Sequence, residues 1–595
     1  MADRPTETTT PSDPREPRAV RIANCSGFFG DRVSAAREQV DGGPIDVLTG
    51  DWLAELTMLI LVRQRLKRGP GSGYARTFLT QMRDVLGTCL DRGIRVVSNA
   101  GGLDPQGCAD ALREIADELG LSPRIAVVTG DDLTTRPELI TEAVNLSTGE
   151  KLADLGLVPV TANAYLGAFG IAAALEAGAD VVITGRVTDA ALAVGPAAWW
   201  HGWTPDDLDP LAGAVVAAHV IECGAQATGG NYAFFTEIGD MTHLGFPIAE
   251  IDAAGSSAIT KHPGTGGAVS VGTVTAQLLY EVDSPAYLGP DVVARFDTIR
   301  LSDAGPDRVR IHPVAGDPPP DTLKVALTTL GGFRNTVGVV ITGLDADAKA
   351  DLVQRQLAPL LAMFAHAQAD RVPFGPERVE LRITAVDPDQ AKVGRAFSNA
   401  VIELTLASYA GFYPTAPPAD ARPYSIYWPT TVPAGEVEQV VSLDGTEITR
   451  VPALSPLARP AAAWPTSADS PGDSGATDVG STTKAPLGLI AGARSGDKGG
   501  DANIGLWVRT DEAVGWLLDL VTPERVRTWI PEAADKHVDV YPLPNLRAVN
   551  IVVRGHLGRG VADGVGLDPQ AKGLGEWVRA QEVDVPTSLL VQGTP

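Results

Sequence analysis

The stretch Val20-Arg21-Ile22-Ala23-Asn24-Cys25-Ser26-Gly27 joins a short apolar strand to a polar, glycine-bearing end. Five later segments repeat this pattern, with predicted strands at 45–49, 94–98, 125–129, 158–161 and 181–184. Their continuous apolar character is typical of a parallel sheet that helices cover on both faces. Amphipathic helical patterns lie between them. The sequence therefore predicts an α/β, Rossmann-like domain with a mainly parallel sheet.

A polar edge follows these strands, formed by the residues that come directly after them. Its candidate site residues are Asp51, Glu55, Asn99, Gly101, Gly102, Arg186 and Asp189. In α/β folds, ligands bind outside the carboxyl ends of the strands, so this edge is the predicted site. Glycine and aspartate also end strands for reasons of turn geometry, and that alternative stays open at any single strand.

The residue types at the polar edge suit acid–base chemistry on a carbonyl compound. Asp51 and Glu55 are four residues apart and can act as acid and base, although a carboxylate there can also simply cap a helix. Asn99 and the glycine amides beside it suit an oxyanion or a carbonyl oxygen. Arg186 can clamp a carboxylate, with Asp189 orienting the clamp.

A predicted helix at 213–226 carries His219 and Glu222 three residues apart, on one helical face. We expect a general base with an orienting carboxylate, and no metal ligand set, although metal ligation and a solvated ion pair remain alternatives. Gln226 begins a glycine-rich polar loop at the helix end, and Lys261 stands beside another glycine loop. Both are candidate substrate contacts.

A second glycine-rich stretch, 493–505, lies near the C-terminus between strands predicted at 487–490 and 504–508. It contains the candidate substrate-binding residues Arg494, Ser495, Asp497 and Lys498. Glycine amides and two cations can converge on a phosphate or carboxylate. A polar turn between two strands is the alternative, and the sequence leaves both open.

The pattern divides the chain into five parts. We predict a disordered tail (1–18), the α/β core (19–269), a second α+β portion (270–455), a flexible linker (456–485) and a C-terminal ferredoxin-like α+β module (486–595). The linker is rich in Pro, Ala, Ser, Gly and Thr and lacks the apolar residues needed to form a core. Short strands with two helices in the last part fit a ferredoxin-like sandwich.

Composition limits the function. The 595 residues carry a net charge of −25, which disfavours binding to nucleic acid or to an anionic membrane. Four widely spaced cysteines without a CxxC pair predict neither a zinc ribbon nor a disulfide framework. We expect a cytoplasmic protein, because the N-terminus lacks the apolar segment of a signal peptide. Neither a GxGxxG nor a GK[ST] motif follows the first strand, so NAD and P-loop nucleotides are not predicted.

Several long motifs together resemble the acyclic terpene utilisation protein A (AtuA) family. They lie at 22–32, 46–58, 97–103, 183–189 and 219–230. The motifs at 494–499 and 543–546 are similar to the ferredoxin-fold module that follows the AtuA domain in that family. The resemblance covers about 20–450 and 486–595. The predicted linker is long for the family, which leaves open how closely the terminal module is held against the polar edge.

The resemblance implies a role in the catabolism of branched acyl-CoA or acyclic terpenoid acids, alongside biotin-dependent acyl-CoA carboxylases. The first interpretation is a lyase or hydro-lyase that acts on a hydroxyacyl-CoA thioester, with coenzyme A as part of the substrate and no cofactor. The alternative is a non-catalytic binding or assembly subunit associated with such a carboxylase. A metal-dependent hydrolase is a third interpretation. We also expect a homo-oligomer.

In the first interpretation, the two ends of the substrate meet different cations. Arg186 and Lys261 hold a substrate carboxylate at the polar edge. Arg494 and Lys498 reach a phosphate of coenzyme A, provided that the terminal module folds over the edge.

Overall fold

The computed structural model describes residues 18–69, 71–373, 378–417, 419–454 and 481–592. The predicted tail lies outside the described residues except for Arg18, and so does the predicted linker up to residue 480. In the described part of the chain, no helix is long and apolar enough to cross a bilayer.

Strands and helices alternate in the first part of the chain. The elements are β1 (Val20–Asn24), α1 (Ala35–Gly42), β2 (Val47–Gly50), α2 (Glu55–Arg68), α3 (Arg76–Arg92), β3 (Arg95–Ser98), α4 (Pro105–Leu119), β4 (Ile125–Thr129), α5 (Pro137–Ile140), β5 (Pro159–Ala164), α6 (Phe169–Glu176), β6 (Val181–Thr184), α7 (Ala191–His201) and α8 (Leu208–Ile221).

Strands dominate the second part. The elements are β7 (Pro247–Ile251), β8 (Ser257–Lys261), α9 (Val271–Leu278), β9 (Ala286–Leu288), β10 (Val293–Arg295), β11 (Leu301–Asp303), β12 (Arg308–Ile311), β13 (Gly316–Asp317), β14 (Thr322–Thr342), α10 (Ala346–Leu361), β15 (His366–Pro373), β16 (Arg378–Asp387), α11 (Phe397–Glu403), β17 (Tyr413–Pro414), β18 (Arg422–Pro433), β19 (Glu438–Leu443) and β20 (Thr446–Pro452).

The C-terminal module begins inside the predicted linker, because residues 482–486 form a strand. Its elements are β21 (Thr482–Pro486), β22 (Ala491–Lys498), β23 (Asp501–Val508), α12 (Glu512–Leu520), α13 (Pro523–Trp529), β24 (Val538–Leu543), β25 (Ala548–Val553), α14 (Leu574–Arg579), β26 (Glu582–Pro586) and α15 (Thr587–Gln592). β21 pairs with β26, and the order β22-β23-β25-β24 makes a four-stranded antiparallel sheet.

Local sequence explains the limits of α4, the helix that follows β3. The Asp104 side chain accepts a hydrogen bond from the Gly107 amide at 3.0 Å, and Pro105 occupies the first helical position. Gly120 ends the helix with φ +69°, a left-handed conformation that glycine adopts without strain. These signals fix the helix on one side of the sheet, next to the polar edge.

The main sheet is mixed rather than mainly parallel. Its order is β11-β12-β8-β7-β1-β2-β3-β6-β4-β19-β20, and only the central run from β1 to β4 is parallel. Antiparallel strands extend it at both ends. The Rossmann-like prediction therefore holds for the helix-covered parallel centre alone, and the overall architecture is a mixed α/β fold.

One predicted strand belongs to another sheet. β5 pairs antiparallel with the 21-residue strand β14, which also carries β16, β17 and β18, so the prediction that it joins the parallel sheet is wrong. A short apolar run suits either sheet, and the run itself does not specify the partner. The end of β5 still returns to the polar edge, because Asn163 donates to Asp131 at 2.8 Å.

The C-terminal module is docked tightly on the rest of the protein. Trp507 and Leu543 belong to the same apolar core as the helices on the main sheet. A Cβ at Gly505 would lie 2.3 Å from the Leu279 Cβ, so this strand position accepts only glycine without a shift. The buried Asn550 amide donates to the carbonyls of Val282 and Asp283 at 3.1 and 3.0 Å.

Replacing Asn550 by alanine should loosen this interface. The variant leaves two buried carbonyl groups without their donor, and such groups cost about 1–3 kcal/mol. We expect the free energy of unfolding, measured by urea denaturation, to fall by that amount. Asp519→Ala, on the exposed side of α12, is the control. Equal stability of the two variants would contradict the docking described here.

Candidate functional site

The ends of two neighbouring parallel strands are tied together by one amide. The Asn99 Nδ2 donates to Asp51 Oδ1 at 2.6 Å, and its Oδ1 accepts a hydrogen bond from the Trp52 amide at 2.8 Å. All three residues are buried. The structure thus gives Asn99 the role of positioning Asp51.

The two glycines beside Asn99 serve packing rather than ligand binding. A Cβ at Gly101 would lie 2.5 Å from the Thr184 carbonyl oxygen, which allows β3 and β6 to approach each other. Gly102 has φ +53°, and its N–H donates to the Asn99 carbonyl at 3.1 Å. The prediction that the Gly102 amide stabilises an oxyanion is therefore wrong, since its hydrogen is already used within the turn.

Arg186 and Asp189 lie in the connection after β6. The guanidinium group forms an ion pair with Asp189 at 2.9 Å, donates to the Leu53 carbonyl at 2.6 Å and lies 4.1 Å from the Tyr165 ring centroid. Arg186 is only 4 % exposed. Contacts on three sides fix the orientation of the cation, as expected for a group that positions or neutralises a bound carboxylate.

Asp131 holds the backbone of this connection and was not singled out by the sequence. Its Oδ2 accepts hydrogen bonds from the Arg186 amide and from Asn163 Nδ2, both at 2.8 Å. Burial raises the pKa of Asp131 to about 6, although these two donors oppose the shift. Asp131 follows β4 in the same way that the named candidate residues follow their own strands. This position was the signal for Asp131 that the sequence offered.

His219 and Glu222 lie at the end of α8, where the helix continues from Leu208 to Ile221. The His219 Nδ1 is 3.2 Å from Glu222 Oε1, and both side chains are buried. The imidazole ring also packs against Tyr287, with ring centroids 5.1 Å apart. The helix begins earlier than predicted because Pro210 fits its first turn.

Burial sets the protonation state of this pair. It lowers the pKa of His219 to about 4, helped by the nearby Lys498 cation. Burial also raises the pKa of Glu222 well above its usual value, and the Asp189 and Glu281 carboxylates add to this. At neutral pH the imidazole is therefore unprotonated, and burial favours the protonated form of the Glu222 carboxyl, so a potential base lies beside a potential acid.

The pKa values of two further carboxyl groups at the polar edge, Asp51 and Glu55, are shifted in opposite directions. Burial raises the pKa of Asp51 well above its usual value, with a contribution from Asp189. Burial would do the same to Glu55, but Lys324 and Arg186 hold the pKa of Glu55 below its usual value. The protonated form is thus favoured at Asp51 and the ionised form at Glu55. Pairs of this kind are frequent in active sites.

Lys324 was missed by the sequence analysis. It lies on β14, and its Nζ is 3.9 Å from Glu55 Oε1 and 4.8 Å from the Tyr165 ring centroid. The available signal was a lone cation within an otherwise apolar predicted strand at 323–329. A lysine in an apolar strand usually has a carboxylate partner when its side chain is taken out of water.

The glycine-rich stretch 493–505 forms a β-hairpin rather than a loop. β22 runs to Lys498, the chain turns at Gly499 and Gly500, and β23 starts at once. Arg494 stands opposite Gly505 in the ladder, so much of the backbone there pairs with its neighbour strand. Of the two interpretations that the sequence left open, the strand pairing favours the polar turn.

Two predicted substrate contacts bind each other instead. Arg494 donates through Nη2 to Gln226 Oε1, and its guanidinium lies 4.1 Å from the Tyr280 ring centroid. Ser495 Oγ accepts the Gly575 amide at 2.8 Å and donates to the Lys572 carbonyl. Arg494 and Gln226 thus tie the terminal module to the core, and Ser495 acts within the module.

Asp497 and Lys498 bring the terminal module into the site. Lys498 acts on the pKa of His219 and lies 5.6 Å from the Tyr287 ring centroid. Asp497 forms an ion pair with Lys572 at 3.3 Å, while burial and Glu281 raise the pKa of Asp497 to about 7. We call ten ionisable groups of the core and the module the acid–base cluster. Four of them are buried, namely Asp51, Arg186, His219 and Glu222. The other six are partly exposed: Glu55, Asp189, Glu281, Lys324, Asp497 and Lys498.

A narrow cleft with a cavity volume of about 10 Å³ opens beside the acid–base cluster. Glu55 and Asp497 line it, which connects the cluster to the outside. The other lining residues come from five elements or loops: Leu56, Thr328, Ser425, Tyr427, Gly499, Val561 and Ala562. Asp51, Asn99, Arg186, Asp189, His219 and Glu222, which the sequence places at one candidate site, do not line this cleft.

Lys261 lies away from Arg186. Its Nζ is 3.0 Å from Asp307 Oδ2 and donates to the Thr265 carbonyl at 2.8 Å. Five strand spacings separate β8 from β6 in the sheet order, which amounts to roughly 24 Å. The prediction that both cations hold one substrate carboxylate is therefore wrong.

Within the described residues, no group of three or more His, Cys, Asp or Glu side chains has an arrangement that holds a metal ion. The fold and the cluster together define an α/β protein whose C-terminal module completes a buried acid–base site at the ends of parallel strands.

Comparison with protein families identifies the chain. The family model described as "Acyclic terpene utilisation family protein AtuA" matches residues 20–443, more than half of the chain, and the chain belongs to this family. The model described as "AtuA ferredoxin-like domain" matches residues 485–584. Both confirm the resemblance drawn from the motifs. A search of curated proteins found no match.

Replacing Asp131 by asparagine should change how stability depends on pH. The folded pKa of about 6 lies above the unfolded value, so the folded state binds the proton more tightly. This group therefore costs stability as the pH rises from about 4 to about 6, by an amount on the order of 3 kcal/mol. Asparagine keeps the hydrogen bonds of Oδ2 but does not titrate.

We expect the Asp131→Asn variant to lose less stability than the wild type between pH 4.5 and pH 7.5 in urea denaturation. Asp519→Asn on α12 provides a control for the loss of one exposed carboxylate. Parallel pH curves for Asp131→Asn and the wild type would contradict the burial of an ionisable Asp131.

Proposed function

We propose that the protein is an enzyme of branched acyl-CoA or acyclic terpenoid acid catabolism, and that it acts as a lyase or hydro-lyase on a hydroxyacyl-CoA thioester. The observation that carries the proposal is the buried contact between His219 Nδ1 and Glu222 Oε1 at 3.2 Å, where burial lowers the pKa of the imidazole and raises the pKa of the carboxyl. Membership of the acyclic terpene utilisation family supports a catabolic role. A base and an acid side by side suit reactions that move one proton away from a substrate and return another.

In a lyase reaction, His219 takes the proton of the 3-hydroxyl group. The bond between C2 and C3 breaks, and its electron pair moves onto the thioester as an enolate, which a protonated carboxyl group then protonates at C2. Arg186 supplies the fixed positive charge that stabilises the enolate or a substrate carboxylate. The Asp51 carboxyl, held by Asn99, is the second proton donor of the cluster.

In a hydro-lyase reaction, the same groups act in another order. His219 takes the proton at C2, and a protonated carboxyl group gives its proton to the leaving 3-hydroxyl, which departs as water. Both reactions need a neutral base and a neutral acid at the same pH, which the burial of the acid–base cluster supports.

Removal of the base should abolish turnover without unfolding the protein. We expect His219→Asn to lower kcat at least about a hundredfold on a thioester that the wild type converts, because general base catalysis contributes about 10²–10⁴-fold. Candidate substrates are 3-hydroxyacyl-CoA and enoyl-CoA thioesters, with products followed by mass spectrometry. His201→Asn is the matched control, since this half-buried histidine binds the Ile251 carbonyl outside the cluster.

A wild-type protein that converts none of these thioesters, and that co-purifies with an acyl-CoA carboxylase, would contradict the enzyme proposal. That result would favour the non-catalytic assembly subunit instead.

The pH profile should depend on Lys498. This cation disfavours protonation of His219, so replacing it by methionine raises the pKa of His219 from about 4 toward its usual value. Activity requires the unprotonated imidazole. We therefore expect the acidic limb of the kcat/KM profile to move to higher pH in Lys498→Met. Lys261→Met, which removes a cation paired with Asp307, should leave the limb in place. An unmoved limb in both variants would contradict the role of His219 as the base.

A further inference from the structure

Four arginines form a patch beside the cleft and outside the acid–base cluster. We call this the arginine patch: Arg63 on α2, Arg334 on β14, Arg382 on β16 and Arg422 on β18. The chain as a whole carries a net charge of −25, so a concentration of positive charge stands out against its surroundings.

Strand pairing forces two of these cations together. Arg334 and Arg422 stand directly opposite each other on antiparallel strands. Side chains in such positions leave the same face of the sheet, with Cβ atoms about 4.5–5.5 Å apart. Like charges in directly opposite positions are destabilising, so this pair costs stability in the absence of an anion.

Backbone carbonyl groups, rather than carboxylates, hold the guanidinium groups. Arg63 donates to the Pro423 carbonyl, Arg334 to the Gly564 carbonyl at 2.6 Å and Arg382 to the Gly566 carbonyl at 3.5 Å. A carbonyl group fixes the direction of a guanidinium without cancelling its charge. The Asp563 carboxylate nearby already pairs with Arg559 at 2.9 Å.

The like charges also act on each other. Burial lowers the pKa of Arg63, and Arg422 lowers it further. Burial likewise lowers the pKa of Arg334, where Arg382 acts in the same direction against the opposing effect of Asp563. The patch is therefore a set of oriented cations, of which Arg382 stands opposite Asp370 in the strand pairing and Arg334 lies near Asp563.

Three connections place the arginine patch next to the cleft. Arg334 contacts Gly564, two residues after the cleft residue Ala562. The Arg334 guanidinium also lies 5.8 Å from the ring centroid of Tyr424, which precedes the cleft residue Ser425 on β18. Their side chains leave opposite faces of this strand, so a shared ligand has to pass around its edge. Along α2, the eight residues from Glu55 to Arg63 span roughly 12 Å. A ligand of moderate length can touch the patch and the cleft together.

We propose that the arginine patch binds the phosphate-bearing nucleotide end of a coenzyme A thioester, while the acyl end enters the cleft toward the acid–base cluster. This inference rests on the proposed function for the identity of the ligand. Planar guanidinium groups match phosphate oxygens in a bidentate manner, which suits several phosphates better than a single ammonium does. The patch thereby takes the phosphate-binding role that the sequence assigned to Arg494 and Lys498.

The test measures binding of coenzyme A, 3′,5′-ADP and pantetheine to the full chain by isothermal titration calorimetry. We expect coenzyme A and 3′,5′-ADP to bind, and pantetheine, which lacks the phosphates, to bind much more weakly. The double variant Arg63→Gln/Arg422→Gln should weaken binding of both phosphate ligands at least tenfold and leave pantetheine unchanged. A double control, Arg371→Gln/Arg83→Gln, removes two exposed arginines that pair with carboxylates elsewhere.

The outcomes separate this inference from the proposed function. Loss of 3′,5′-ADP binding in the patch variant alone supports the inference even if no thioester is turned over. Turnover of a thioester with unchanged KM in the patch variant, and unchanged 3′,5′-ADP affinity, overturns the inference while the proposed function stands. Binding of inorganic pyrophosphate or of anionic phosphatidylserine vesicles through the same arginines, without binding of 3′,5′-ADP, also overturns it.

Discussion

Close contact between the C-terminal hairpin and the core is the constraint on which the site depends. Glycines on β22 and β23 leave no side chain in the way, so Gly496 lies against Tyr280 and Gly505 against Leu279. This contact carries Lys498 and Asp497 to the polar edge of the parallel strands. Water is excluded from His219 and Glu222 as a result, and burial is the largest cause of both pKa shifts.

The desolvated charges then determine one another. An ion pair in a protein interior is weakly screened, so each carboxylate acts on several neighbours. Asp189 raises the pKa of both Asp51 and Glu222, while Lys324 and Arg186 keep Glu55 ionised. The cluster contains protonated and ionised carboxyl groups at the same pH. A structure that carries this electrostatic cost at one place is typical of a functional site.

The sequence predicted local features of the fold better than long-range ones. The apolar runs located β1, β4 and β6 within a residue, and the family motifs located the terminal module. The sheet partner of β5 was wrong because an apolar run does not encode the strand beside it. β14 continues through its two glycines, Gly331 and Gly332, because they form a bulge there instead of a turn.

The candidate site shows the same limit. Residues at the ends of parallel strands, such as Asp51 and Asn99, come together because strand ends share an edge. Lys261 does not join them, because its distance follows from the strand order, which the sequence does not show. From the sequence, the glycines of 493–505 are expected to give the backbone conformational freedom. In the structure, two of them instead allow the hairpin to pack closely on the core. Composition alone does not separate these two uses of glycine.

Direct titration of the His219 ring tests the central claim, that docking of the terminal module creates a neutral base beside a protonated acid. The measurement is the pH dependence of histidine ring signals by NMR in the full chain labelled at histidine, with His219→Gln assigning the resonance. This account expects the ring to remain neutral down to about pH 4. A ring that titrates near 6.5, the value of an exposed histidine, would contradict it.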